Sequence, residues 1–177
     1  MTGTAAWVSG EVQASYTATA SGTYSALFGL LQRGGLLATY YDSTDLRGMP
    51  SKVQFDAAVM FEWQPSALIT MNSRDYVSVR WFGMLEAPFT EEFTFFWAIN
   101  AANCGRIRIG GDLLIDEPCR VIDEKRIDAQ LIDIPVSLPA VSDVTELIAS
   151  AWLVGGQRYE IEVEWSKTVG HARSELR

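Results

Sequence analysis

The sequence is poor in the residues on which most catalysis depends. Its 177 residues include one histidine, His171, and two cysteines, Cys104 and Cys119. A Ser-His-Asp or Cys-His site would rest on His171 alone, and no nucleophile motif accompanies it. Zinc sites draw on several His and Cys ligands, and only these three residues are available. Basic residues are also scarce, 14 Lys and Arg against 22 Asp and Glu, for a net charge of −8. That excludes nucleic acid as a partner, because phosphates need Lys and Arg to neutralise them and no basic cluster is present. No apolar run approaches the ~18 residues of a membrane span, which excludes membrane insertion. The opening Met1-Thr2-Gly3-Thr4 has neither the charged nor the apolar region of a signal peptide, and the chain reads as a piece of a longer protein. No pair of carboxylates stands in a glycosidase context. The glycine pairs lack the Lys-Ser/Thr that follows a phosphate loop. Enzymatic activity is therefore not expected.

What the chain does have is β pattern. Apolar residues make up 48% and charged residues 20%, enough for a packed core. From Tyr159 to Trp165 the odd positions are Tyr, Ile, Val and Trp, while Glu160, Glu162 and Glu164 fill the even ones. Such period-two alternation marks a strand with one wet face. "YVSVRWFGML" sets Val77, Val79, Trp81 and Leu85 against Ser78, Arg80, Phe82 and Met84. "FTFFWAI", apolar on both faces, reads as a central strand. Ile107 and Ile109 alternate with Arg106 and Arg108 in a hairpin that turns on Gly110-Gly111, which supply the positive φ a two-residue turn requires. Turn residues (six prolines among them) separate short strands, and this predicts an all-β fold, an antiparallel sandwich or barrel. "SDVTELIASAWL" is divided between two readings: Ser142 or Asp143 with Glu146 downstream is a helix start, but a strand fits equally.

Residues 1–34 read as a strand, a turn and a strand, too little for a core of their own. The "SGTYSALFGL" within them resembles the closing hairpin of a filamin-type immunoglobulin-like repeat. That likeness implies that a preceding repeat ends here and that the parent protein is multidomain.

From Gly35 onward the motifs form a recognisable series: "GGLLATYYDSTDLRG", "VMFEW", "YVSVRWFGML", "EEFTFFWAI", "RIRIGGDLLID" and "LVGGQRYEIEVEW". In order and spacing they resemble a PA14 domain over 35–177. The resemblance implies an antiparallel β-sandwich, with Trp63, Trp81, Trp97 and Trp165 filling the space between sheets. Arg80 is expected to be structural, paired with Asp116 or a loop acid.

Sugar-binding members of this family carry two adjacent aspartates before the hairpin, which hold calcium and through it a glycan. Counting back from Gly110-Gly111, those positions fall on Ala102 and Asn103. Neither is an anion, and Ala98 to Ile109 contains no acid, so calcium is not expected as a cofactor. Cys104 and Cys119 flank the hairpin; with Cys104 opposite Glu117, a bulge or Pro118 would bring them within disulfide reach, the alternative being two reduced thiols. Asp42, Asp45, Asn103 and Asp112 remain as candidate ligand-binding residues. Asp116, Glu117, Asp123, Glu124, Asp128 and Asp133 read as solvated charge.

These readings imply a non-catalytic interaction or architectural module of a multidomain protein. It would contact neighbouring domains or protein partners through "YDSTDLRGMP" and the loop from Ala101 to Cys104. The alternatives are a glycan-binding adhesin domain with a rebuilt site, or an accessory domain of a carbohydrate-active enzyme. Family resemblance implies an extracellular or cell-surface location. A cytoskeletal or ciliary assembly is the alternative.

Overall fold

The computed structural model describes residues 34–64, 66–100, 103–119 and 144–177, and the backbone of 2–8 and 11–17. The chain divides into two units, Met1–Leu31 and Gln32–Arg177. The first holds an antiparallel hairpin of β1 (Thr2–Val8) and β2 (Glu11–Thr17), with Val8 facing Glu11. The first strand of the expected pair falls on β2, which pairs upstream with β1; the second lies outside the described residues. The Gly22-Thr23-Tyr24 motif lies outside the described residues.

In the second unit, β3 (Leu36–Tyr41), β4 (Lys52–Asp56), β6 (Val77–Glu86), β8 (Asn103–Ile109), β9 (Asp112–Glu117) and β11 (Arg158–Lys167) form a six-stranded sheet, ordered β4-β3-β6-β11-β8-β9. The other sheet is ordered β10-β7-β12-β5, from β5 (Met60–Trp63), β7 (Glu91–Asn100), β10 (Val144–Leu153) and β12 (Ala172–Leu176). Every described pairing is antiparallel. The fold is the all-β antiparallel sandwich that the alternating strands predict.

Large aromatics fill the space between the sheets. Trp81, Trp97 and Trp165 are fully buried. Phe61 stacks on Trp63 with centroids 4.9 Å apart, and Trp63 stacks on Trp165 at 5.0 Å. Such contacts each contribute about 1 kcal/mol beyond the area they bury. Two of the three fully buried indoles are satisfied: that of Trp97 donates to Ser174 Oγ at 3.0 Å and that of Trp81 to Asp56 Oδ2 at 2.8 Å, while the buried Trp165 Nε1 has no hydrogen-bond partner among the described residues. Tyr40 donates to the same Asp56 oxygen at 2.6 Å, and burial, followed by that carboxylate, pushes its phenol well above its ordinary value.

One open reading is decided and two local expectations are corrected. Of its two readings, "VTELIASAWL" takes the strand, as β10. Thr145, Leu147, Ala149, Ala151 and Leu153 turn inward and the even positions outward, and tertiary pairing with β7 outweighs the capping pattern. The β8–β9 hairpin holds a bulge at Ile107/Arg108, which sets Gly105, not Cys104, opposite Glu117. Arg80 pairs not with Asp116 but with Glu164 across the β6–β11 ladder, at 2.6 Å. Asp116 instead accepts from Arg106 at 2.8 Å.

Candidate functional site

The outer face of the six-stranded sheet is set by the same alternation that builds the core. With Trp81, Val163 and Ile107 turned inward, Arg80, Glu164 and Arg106 turn outward on three neighbouring strands. The ladder aligns them in one row, Arg80–Glu164–Arg106–Asp116. The next row toward the strand ends is Tyr41, Ser78, Ser166 and Cys104.

An open cleft of about 340 Å³ lies over these two rows. One wall is the loop after β3, through Thr44, Asp45 and Leu46. Buried Ser78 holds that loop down: its hydroxyl donates to Ser43 O at 2.7 Å and accepts from the Leu46 N–H at 3.1 Å. The other wall is Pro118 with the disulfide between Cys104 and Cys119. The bulge in β8–β9 is what brings the two cysteines together, with Cα atoms 4.7 Å apart. Ser166 Oγ–H points at Cys104 Sγ at 2.9 Å; the disulfide sulfur has no proton, so the hydroxyl donates. Across a separation of 15 residues, the bond constrains the unfolded chain by roughly 3 kcal/mol. A reductant is expected to lower stability by about that amount, and a melting curve with and without dithiothreitol checks it.

The cleft offers guanidinium donors from Arg80 and Arg106 and carboxylates from Asp45, Glu117 and Glu164. It therefore presents hydrogen-bond donors and acceptors side by side. No histidine lines it, and Ser166, its buried hydroxyl, is turned to the disulfide.

The candidate residues do not converge. Asp45 lines the cleft and pairs with Arg47 at 3.6 Å. Asp42 turns the other way. It accepts from Asn72 Nδ2 at 2.8 Å and from Thr70 Oγ1, and those two bonds hold its carboxyl below the usual carboxylate range. Asp42 thus ties the loop after β3 to the loop before β6. Asp112 is exposed at the hairpin tip, opposite Ile109. Ala102, Asp123, Glu124, Asp128 and Asp133 lie outside the described residues.

Asn103 is 2% exposed and committed to the fold. Its Nδ2 donates to His171 O at 3.2 Å, and its Oδ1 accepts from the Arg173 N–H at 3.4 Å. It clasps the turn from β11 to β12. Directly across the ladder stands Lys167, also 2% exposed. Its Nζ donates to Asp75 Oδ1 at 2.5 Å and Arg74 O at 2.7 Å. Calcium needs hard anionic oxygens. Here the side chain is neutral and its amide oxygen already accepts from the Arg173 N–H, so Asn103 does not fit the ion. Among the described residues no three His, Cys, Asp or Glu side chains gather as a metal site.

Sequence reasoning missed Lys167, Asp75 and Asp56. The period-two pattern of "EIEVEWSK" does turn Lys167 inward with Trp165. Nothing local marks its partner.

Comparison with protein families matches residues 32–177 to the PA14 domain. Comparison with curated proteins gives no match. Among solved structures the chain is similar to an anti-sigma factor domain-containing protein (24% identity, TM-score 0.62), covering 80% of this chain and 40% of that one. It is similar to another such protein from Clostridium clariflavum (20%, TM-score 0.60), covering 89% and 46%. A beta-glucosidase from Kluyveromyces marxianus (16%, TM-score 0.53) is covered over 16% of its length, by 80% of this chain. At such identities the likeness is one of fold. The chain spans less than half the length of each of these relatives.

Proposed function

This chain belongs to the PA14 family, and from that premise we propose that it is a non-catalytic interaction module of a larger protein, contacting neighbouring domains or a protein partner without calcium. One observation carries the reading. Where sugar-binding members place an acid, the neutral Asn103 is buried and spent on backbone hydrogen bonds. The contact surface is the cleft between the loop after β3 and the disulfide, whose row of alternating charges suits the polar surface of another protein. The disulfide supports an extracellular or cell-surface location, since such bonds persist in oxidising compartments. The filamin-like likeness of "SGTYSALFGL" supports a preceding repeat in the parent protein.

Calorimetric titration with calcium, alongside melting curves in calcium and in chelator, tests the reading. No heat and no shift in melting temperature are expected. A calcium site that raises the melting temperature would overturn it.

One observation favours a second reading, a glycan-binding domain with a rebuilt site or an accessory domain of a carbohydrate-active enzyme. The cleft sets guanidinium donors beside carboxylate acceptors, a combination that also suits hydroxyl groups, and a similar domain occupies part of the beta-glucosidase chain. Reproducible binding to one sugar class on a glycan array would establish it over the first.

A further inference from the structure

Among the described residues, strand β10 is the outer strand of the four-stranded sheet, and its own sequence lacks the usual guards of an edge. It is 10 residues long, bonds to β7 on one side, and has no described strand on the other. Natural edges are blunted by proline, lysine, a bulge or short length. The β10 segment has none of these: its register runs unbroken from Val144 opposite Asn100 to Leu153 opposite Glu91. Its outward row holds Val144, Ile148 and Trp152, which are 47%, 59% and 67% exposed, with Phe96 of β7 beside Ile148. The row's single charge, Glu146, is already paired with Arg177 at 2.9 Å.

We propose that β10 pairs antiparallel with β10 of a second copy, about a two-fold axis through Ile148, so that two four-stranded sheets become one continuous sheet. The occupant follows from the strand's self-complementarity. Directly opposed residues of an antiparallel pair share a face. Centring on Ile148 sets it against the partner's Ile148, Val144 against the partner's Trp152, and Glu146 against the partner's Ser150. Each apolar residue of the row meets an apolar one, and no like charges oppose. On the inward row, Leu147 meets the partner's Ala149 and Thr145 the partner's Ala151, again without charge. Centring on Glu146 would oppose two carboxylates, and centring on Ser150 would set Glu146 against the partner's Val154. A two-fold interface repeats the same patch on both sides, and this strand supplies both halves. Trp152 and Ile148 then become desolvated anchors of the kind that dominate interfaces. The inference rests on β10 alone and not on the partner-binding reading above.

Sedimentation equilibrium of the 177-residue chain over a range of concentrations tests it. A monomer–dimer equilibrium is expected. Ile148→Lys, at an exposed position, is expected to leave the melting temperature of the monomer intact and weaken dimerisation by roughly thirtyfold or more. Met84→Lys, on the outer face of the other sheet, is expected to change neither. The two native cysteines are bonded to each other, so an introduced cysteine reports the register. With the shortest bis-maleimide, Ile148→Cys is expected to crosslink between chains and Ser150→Cys to stay unlinked. A chain that is monomeric at every concentration, a dimer that survives Ile148→Lys, or crosslinking at 150 equal to that at 148 would overturn the proposal.

Discussion

Gly105→Ala is expected to destabilise the domain by about 3 kcal/mol or more, a fall of about 10 °C in melting temperature for a domain of this size. Gly105 stands on the inward face of β8, opposite Trp165 of β11. A Cβ there would overlap the Glu164 carbonyl oxygen and Trp97 Cη2, and approach the Glu164 carbonyl carbon to 3.1 Å. The Trp97 ring belongs to the opposite sheet, so the glycine is where one sheet's largest side chain rests on the other's backbone. Neither neighbour yields easily. Trp97 is fully buried and hydrogen-bonded to Ser174, and the carbonyl belongs to the β11 backbone. Gly111→Ala makes the comparison. Its φ of 90° resists a side chain, but nothing lies within 4 Å of a Cβ there, so only backbone strain of about 1 kcal/mol is expected. Thermal melts of the two variants separate overlap from strain. Equal losses would refute the packing argument.

Asp75→Ala is expected to cost about 3 kcal/mol, and Lys167→Met clearly less. The asymmetry comes from burial. The Lys167 side chain is 2% exposed and that of Asp75 is 32% exposed. Removing the carboxylate strands a buried ammonium with only the Arg74 carbonyl, while removing the ammonium leaves a carboxylate that water still reaches. The double variant is expected to recover most of the loss, and urea denaturation of the set measures that coupling. The pair also makes stability depend on pH. The hydrogen bond from Lys167 holds the Asp75 carboxyl below its ordinary value. Its contribution is therefore complete above the unfolded-state value of about 3.9 and is lost as pH falls through the lower folded-state value. Asp75→Ala is expected to flatten that acid limb of the stability profile.

The contrast between Lys167 and Asp75 shows what could be read from the chain and what could not. Strand β11 announces both its faces, since glutamates at every second position leave Tyr159, Ile161, Val163 and Trp165 for the core. The same period turns Lys167 inward. Asp75 carries no such signal, because its approach depends on how residues 66–76 fold across the end of the sandwich. Strand β4 reverses the usual cue: Val53 and Phe55 are exposed, while Asp56 is buried beneath Tyr40 and Trp81. No periodicity rule anticipates a core whose aromatic rims need a carboxylate. The candidate cleft was half legible. Its row of Arg80, Glu164 and Arg106 follows from alternation, but the place of Asp116 beside Arg106 and the disulfide wall depend on the bulge at Ile107/Arg108, which local sequence does not mark. The ambiguous "VTELIASAWL" was decided by pairing with β7, a partner distant in sequence.

The order of the four-stranded sheet also bears on when the domain can form. Strand β12, Ala172–Leu176, lies between β7 and β5 and bonds to both. It comes last in sequence among the described strands of the domain, so on the ribosome β5 and β7 emerge before the strand that joins them. Until residue 176 clears the exit tunnel, the sheet lacks an interior member and the faces that Trp63 and Trp97 present stay open. Closure is therefore a late, long-range event, slow in the manner of topologies dominated by distant contacts. Over that interval the nascent chain exposes unpaired β edges, a state in which chaperones matter most.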